Sequence, residues 1–170
     1  MSSPAQPRET RDARAGEEIP LDALNHWLAI AAPEVGRVER IEQFPGGFSN
    51  LTYLLVGSAG DFVLRRPPRG VSKGPAHDMA REFRILAVLH PRGVAVPRPI
   101  ALCEDATVLG APFYVMERVR GLILRSVPEV PPPSEQMRAL SESFVRTLVN
   151  IHAIGPDDPE IAALGKPGGY

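Results

Sequence analysis

The sequence predicts an α+β fold, a five-stranded antiparallel sheet with one packed helix, followed by the first helix of a second, helical part. Three observations predict it. Apolar and β-branched residues recur at strand spacing in five short runs, near residues 38–44, 51–56, 61–66, 99–104 and 112–118. Short glycine-bearing links, Phe44-Pro45-Gly46-Gly47-Phe48-Ser49-Asn50 and Gly57-Ser58-Ala59-Gly60, join the first three runs as hairpins, which makes the sheet antiparallel. A helical period then interrupts the strands between the third and fourth runs and returns after residue 134.

Taken in order, residues 1–18 are rich in Ser, Pro, Arg and Glu and hold no apolar run, so they read as a disordered arm, neither a signal peptide nor a membrane span. Leu21, Leu24, Trp27, Leu28 and Ala31 follow at helical spacing from Pro20, a favoured first-turn residue, and this helix is expected on the outside of the sheet. The third strand, Asp61 to Arg66, puts Phe62, Leu64 and Arg66 on one face and Val63 and Arg65 on the other, so one of the two arginines must lean inward. A breaker-rich loop, residues 67–75, leads to a helix over about residues 76–90 with an apolar stripe of Met79, Phe83, Leu86 and Leu89. Glu82 lies within that stripe. The last two strands carry Cys103 and the run Phe113 to Val119. Residues 19–119 thus form one unit, residues 120–133 a connector, and residues 134–170 the start of a second unit. Ser134 is placed to cap its helix, Met137, Leu140, Phe144, Leu148 and Ile151 form the stripe, and Gly155 supplies the stop.

The first hairpin is suited to phosphate. Gly46 and Gly47 carry no Cβ, so the backbone can approach an anion closely and turn N–H groups toward it, while Ser49 and Asn50 add side-chain donors. There is no Gly-Lys-Ser/Thr ending into a helix and no triple-glycine strand-to-helix turn, and the run that follows is a strand, so the loop would cover phosphates from above. A carboxylate on a core-facing stripe needs a partner, because leaving it buried and unpaired costs several kcal/mol. Arg65, on the adjacent strand, is the candidate partner for Glu82; a solvated Glu82 beside Arg81 or Arg84 is the competing arrangement.

The chain has 170 residues, 44% apolar and 23% charged, enough for one domain with a sizeable core, and its 19 prolines keep the elements short. A formal charge of −1 provides no field for nucleic acid or an anionic membrane. The single cysteine excludes a disulfide framework and fits a reducing, cytoplasmic setting. His26, His77, His90 and His152 never fall at metal-ligand spacing, and Gly47-Phe48-Ser49-Asn50-Leu51 lacks the final glycine of a hydrolase nucleophile elbow.

In Phe44 to Tyr53, Phe62 to Pro68, Arg81 to Leu86 and Pro112 to Glu117, the chain resembles the amino-terminal lobe of the aminoglycoside phosphotransferase family, within the protein-kinase-like fold. The subgroup most similar is the phosphotransferase-like domains related to those beside acyl-CoA dehydrogenases. The resemblance implies that Arg65 stands where the family has a lysine on the α- and β-phosphates of ATP, with Glu82 as the carboxylate that holds it. It also implies a hinge at Glu117 to Val119 whose backbone meets the adenine edge, with Met116 lining that pocket. Arginine stays charged and pairs bidentately with a carboxylate, so the structural role survives the exchange.

The family's chemistry requires ATP and Mg²⁺, a His-Gly-Asp catalytic loop and an Asp-x-Asp metal site. No histidine here precedes Gly-Asp, and no aspartate begins an Asp-x-Asp. The chain is therefore expected to be the amino-terminal portion of a small-molecule kinase that phosphorylates a hydroxyl, with no catalytic or metal-binding residues of its own and no turnover alone. A nucleotide-binding module without chemistry, and an interaction domain that self-associates through the Met137 to Ile151 stripe, stand as alternatives.

Overall fold

Strand β1 (Val38–Gln43), β2 (Leu51–Gly57), β3 (Gly60–Arg66), β4 (Pro99–Cys103) and β5 (Phe113–Glu117) form one sheet in the order β1-β2-β3-β5-β4, every neighbour antiparallel. The computed structural model describes residues 9–45, 49–68, 70, 77–121, 132–155 and 157–165. All five strands fall within two residues of where the sequence places them. The expected kinase-like fold is observed as this antiparallel sheet with its helices.

Helix α1 (Leu21–Ala31) begins after Pro20 and buries Leu24 and Leu28. These pack with Leu55, Leu64, Phe113 and Val115 in the core, and Trp27 meets Phe113 edge to face at 4.8 Å. Ala31, the last residue of the expected stripe, is exposed. Asn25 ties the helix to the sheet like a short strand, its Nδ2 donating to Val38 O at 2.9 Å and its Oδ1 accepting from Val38 N at 2.8 Å. The opposite sheet face carries Leu54, Val63, Arg65 and Tyr114. There helix α2 (Met79–Leu89) contributes Phe83, whose ring meets Tyr114 at 6.1 Å. Asp78 caps α2 by accepting from Arg81 N at 2.8 Å, and a 3-10 turn, His90–Arg92, follows it. The helix is thus shorter than the predicted residues 76–90, whose start at Ala76 lies outside the described residues.

The expected disordered arm needs correction over part of its length. Residues 1–8 lie outside the described residues, but Arg11 pairs with Gln43 through backbone bonds of 2.9 and 2.7 Å, continuing the sheet edge beyond β1. Gln43 is buried and uses its side chain as well, accepting from Arg14 N at 3.0 Å and donating to Glu17 at 2.6 Å.

Two short helices escaped the sequence reading. Helix α3 (Ala106–Leu109) is capped by Asp105, which accepts from Thr107 N at 2.8 Å, and stopped by Gly110 at φ 83°. Helix α5 (Pro159–Ala162) is capped by Asp158, which also receives Arg92 at 2.7 Å. Asp158 thus both caps a helix and pairs with a cation. In helix α4 (Ser134–His152) the N-cap is Pro133, with no side-chain cap, and Ser134 is the first helical residue.

The chain divides into two compact units, residues Met1–Phe83 with Pro97–Arg118, and Arg84–Val96 with Val119–Tyr170. The first holds the sheet, α1 and the start of α2. The second holds the rest of α2, α4 and α5.

Candidate functional site

Strand alternation sends Arg65 and Arg66 to opposite faces, and both faces are covered. Arg66 points to the α1 side and has no exposed surface. Its Nη1 donates to Leu109 O at 2.9 Å and its Nη2 to Glu17 O at 3.1 Å, while the Tyr53 ring lies 5.6 Å from the guanidinium. Sequence alternation could not say which arginine would lean inward, because Arg66's neutralising oxygens are backbone carbonyls that leave no mark in residue type.

Arg65 faces the α2 side and meets Glu82, the pairing that the apolar stripe required. Its Nε lies 3.2 Å from Oε2, out of hydrogen-bond alignment and so a Coulombic contact, and its Nη2 donates to Oε1 at 3.5 Å. The two side chains keep 34% and 30% of their surface exposed, which leaves the cation partly accessible to a ligand. Two further donors complete the carboxylate. Asn50 Nδ2 reaches Oε1 at 2.9 Å, and the Tyr114 hydroxyl reaches Oε2 at 3.0 Å. Tyr114 sits directly across from Arg65 in the β3–β5 ladder, so both side chains leave the same face. Burial, and next the Glu82 anion, push the Tyr114 phenol well above its usual range, which keeps it a neutral donor.

Of the other expected site residues, Gly46 and Gly47 lie outside the described residues. Ser49 is exposed. Asn50, expected as a phosphate donor, is buried, its amide engaged by Glu82 and its Oδ1 2.9 Å from His77 Nδ1. Met116 is half-buried on the Arg65 face. Glu117, expected to offer a backbone donor at the hinge, gives its N–H to Arg98 O at 2.9 Å. Val119 falls in the second unit and is 63% exposed. Sequence reasoning missed Tyr114 and His77 as members of this cluster. Tyr114 could have been found, because strand parity places it beside Arg65.

A cavity of about 990 Å³ lies apart from this pair, lined by Glu9, Thr10, Arg11, Asp12, Arg40, Glu42, Pro45, Leu54 and Arg118. Its charges are largely spent on one another. Arg40 meets Glu42 at 2.6 Å, and Arg118 meets Asp61 at 2.6 Å and Glu9 at 2.9 Å. Among the described residues no group of three or more His, Cys, Asp or Glu side chains is placed to hold a metal ion, so these residues do not fit a Mg²⁺ cage. Nor, among them, is any helix long and apolar enough to cross a membrane.

Residues 40–170 match the phosphotransferase enzyme family. Acyl-CoA dehydrogenase family member 10 from Mus musculus is 35% identical over 165 residues, which cover 95% of this chain and 15% of that protein. Family member 11 from Homo sapiens is 34% identical over 149 residues, 86% of this chain and 19% of that protein. The chain thus spans less than a fifth of either relative. A crystal structure assigned as an aminoglycoside phosphotransferase from Ralstonia eutropha JMP134 superimposes with a TM-score of 0.73 at 30% identity, over 90% of this chain and 44% of that one.

Proposed function

The chain belongs to the phosphotransferase enzyme family, and from that premise we propose that it supplies the nucleotide side of an ATP-dependent kinase acting on the hydroxyl of a small molecule. The observation that carries the reading is the Arg65–Glu82 pair, set on the strand and helix that follow a glycine hairpin. In this proposal Arg65 is the cation for the α- and β-phosphates. Glu82 fixes its direction before the ligand arrives, so little reorganisation is left for binding. The hairpin of Gly46, Gly47 and Ser49 would cover the phosphates, and Met116 would line the pocket for the base.

In the transfer itself the acceptor oxygen bonds to the γ-phosphorus, the bond to the β–γ bridging oxygen breaks, ADP leaves and the hydroxyl proton passes to a base. Mg²⁺, when bound, would neutralise phosphate charge. We assign neither the base nor the metal ligands to this chain, and we expect it to bind nucleotide weakly and to release no ADP by itself. The setting we propose is the cytoplasm, which suits Cys103, a buried thiol that burial holds above its usual ionisation range.

Calorimetric titration with ATP, with and without Mg²⁺, beside an ADP-release assay over hydroxylated acceptors, tests the reading. The expected result is measurable ATP binding that Arg65→Ala weakens about tenfold or more, in line with loss of a charge-assisted contact. Binding that ignores Arg65→Ala would overturn the phosphate role. ADP release by the 170-residue chain would overturn the confinement to the nucleotide side.

A further inference from the structure

Glu82 does not depend on Arg65 alone for its place. Its two oxygens are bound separately by neutral donors at good distance, Asn50 at 2.9 Å on one and Tyr114 at 3.0 Å on the other, whereas the arginine contacts are longer, at 3.2 and 3.5 Å. The donors come from different elements. Asn50 immediately precedes β2, at the exit of the glycine hairpin, and Tyr114 stands on β5. A carboxylate gripped at both oxygens from two directions keeps one orientation, and a flexible arginine beside it then finds one favourable geometry. Asn50 is itself fixed, because its Oδ1 accepts from His77 Nδ1 in the turn before α2. Turning this amide toward a phosphate would break both bonds.

We propose that Asn50 and Tyr114 are positioning residues, which lock Glu82 so that Glu82 aims Arg65, and which tie the exit of the glycine hairpin to α2 and β5. The purpose of this arrangement rests on the nucleotide reading above; its geometry does not. Asn50 therefore acts on phosphate through Arg65 and not by touching it.

Phenylglyoxal labelling of the folded chain, read arginine by arginine through peptide mass spectrometry, reports how firmly Arg65 is held without needing any activity. Tyr114→Phe keeps the ring that packs on Phe83 and removes only the hydroxyl. Asn50→Ala removes the other donor, and Asn50→Asp sets a like charge against Glu82. Arg65 is expected to label at least about threefold faster in each variant, most of all in Asn50→Asp, while exposed Arg40 keeps its rate, as loss of a single net hydrogen bond would produce. ATP affinity should fall about five- to tenfold in the same variants with adenosine binding unchanged, because only the phosphates report on Arg65. A general loosening would instead speed both arginines and weaken both ligands, and would overturn the proposal. Unchanged Arg65 labelling in Tyr114→Phe and Asn50→Ala would overturn it too, whether or not ATP binds. Faster Arg65 labelling in a protein that binds no ATP would support the positioning and sink the nucleotide reading.

Discussion

Arg66 carries a full charge with no exposed surface, and what balances it is neutral: two backbone carbonyls, the Tyr53 hydroxyl at 3.4 Å and the Tyr53 ring. Its Nε has no hydrogen-bond partner among the described residues. Such a residue is more expensive to remove than a visible ion pair. Arg66→Ala strands Leu109 O, removes one of the two donors on Glu17 O and opens a cavity at once, a loss of about 3–5 kcal/mol. Glu82→Ala, by contrast, frees a cation that solvent already reaches, so the expected loss is about 1–2 kcal/mol, well under that for a fully desolvated pair. Urea unfolding of the two variants measures both. A larger loss in Glu82→Ala than in Arg66→Ala would show that the wrong arginine has been taken as structural.

At the scale of elements, the β2–β3 hairpin packs its first residue, Gly57, against the backbone that enters β1. A Cβ added there would stand 2.4 Å from Arg37 O, a backbone atom whose position is set by its bond from Ser58 N at 3.1 Å. Gly57→Ala should therefore cost about 1–3 kcal/mol through overpacking, whereas Gly121→Ala, which meets open space, should be near neutral. Thermal unfolding of the pair checks the contrast, and equal melting temperatures would contradict it. The elements legible in the sequence are those long enough to show a period: α1, α2, α4 and the five strands. Helices α3 and α5 have four residues each, about one turn, and one turn has no repeat to read; only their capping aspartates, Asp105 and Asp158, and Gly110 gave a signal. The Arg65–Glu82 pair was readable because a carboxylate on an apolar stripe demands a partner. The contacts of Asn50 and Glu117 were not legible, because they depend on His77 and Arg98, which come near only once the chain is folded. The attachment of residues 9–18 was equally hidden, since a polar segment bound largely through its backbone carries no apolar pattern.

For the molecule as a whole, the second unit presents α4 with no buried residue, and along it Met137, Leu140, Phe144, Leu148 and Ile151 are 42–71% exposed. A contiguous exposed apolar stripe of this length favours association, so sedimentation should show concentration-dependent self-association, with binding of a dye specific for apolar surface. Phe144→Glu with Leu148→Glu should abolish both. A monomer at high concentration with no dye response would count against it. The sheet's other border leads to a different kind of consequence. The family match opens at residue 40, inside β1, yet Glu17 O holds Arg66 and Tyr53, Leu24 and Leu28 fill the core, and Arg11 closes the β1 edge. A border drawn where the family match starts would cut through a folding unit. What such a chain inherits, exchanges or fuses as a module must include the stretch from about Glu9 onward, although the family match begins some thirty residues later; the similarity to relatives over 95% of the chain reaches into that stretch.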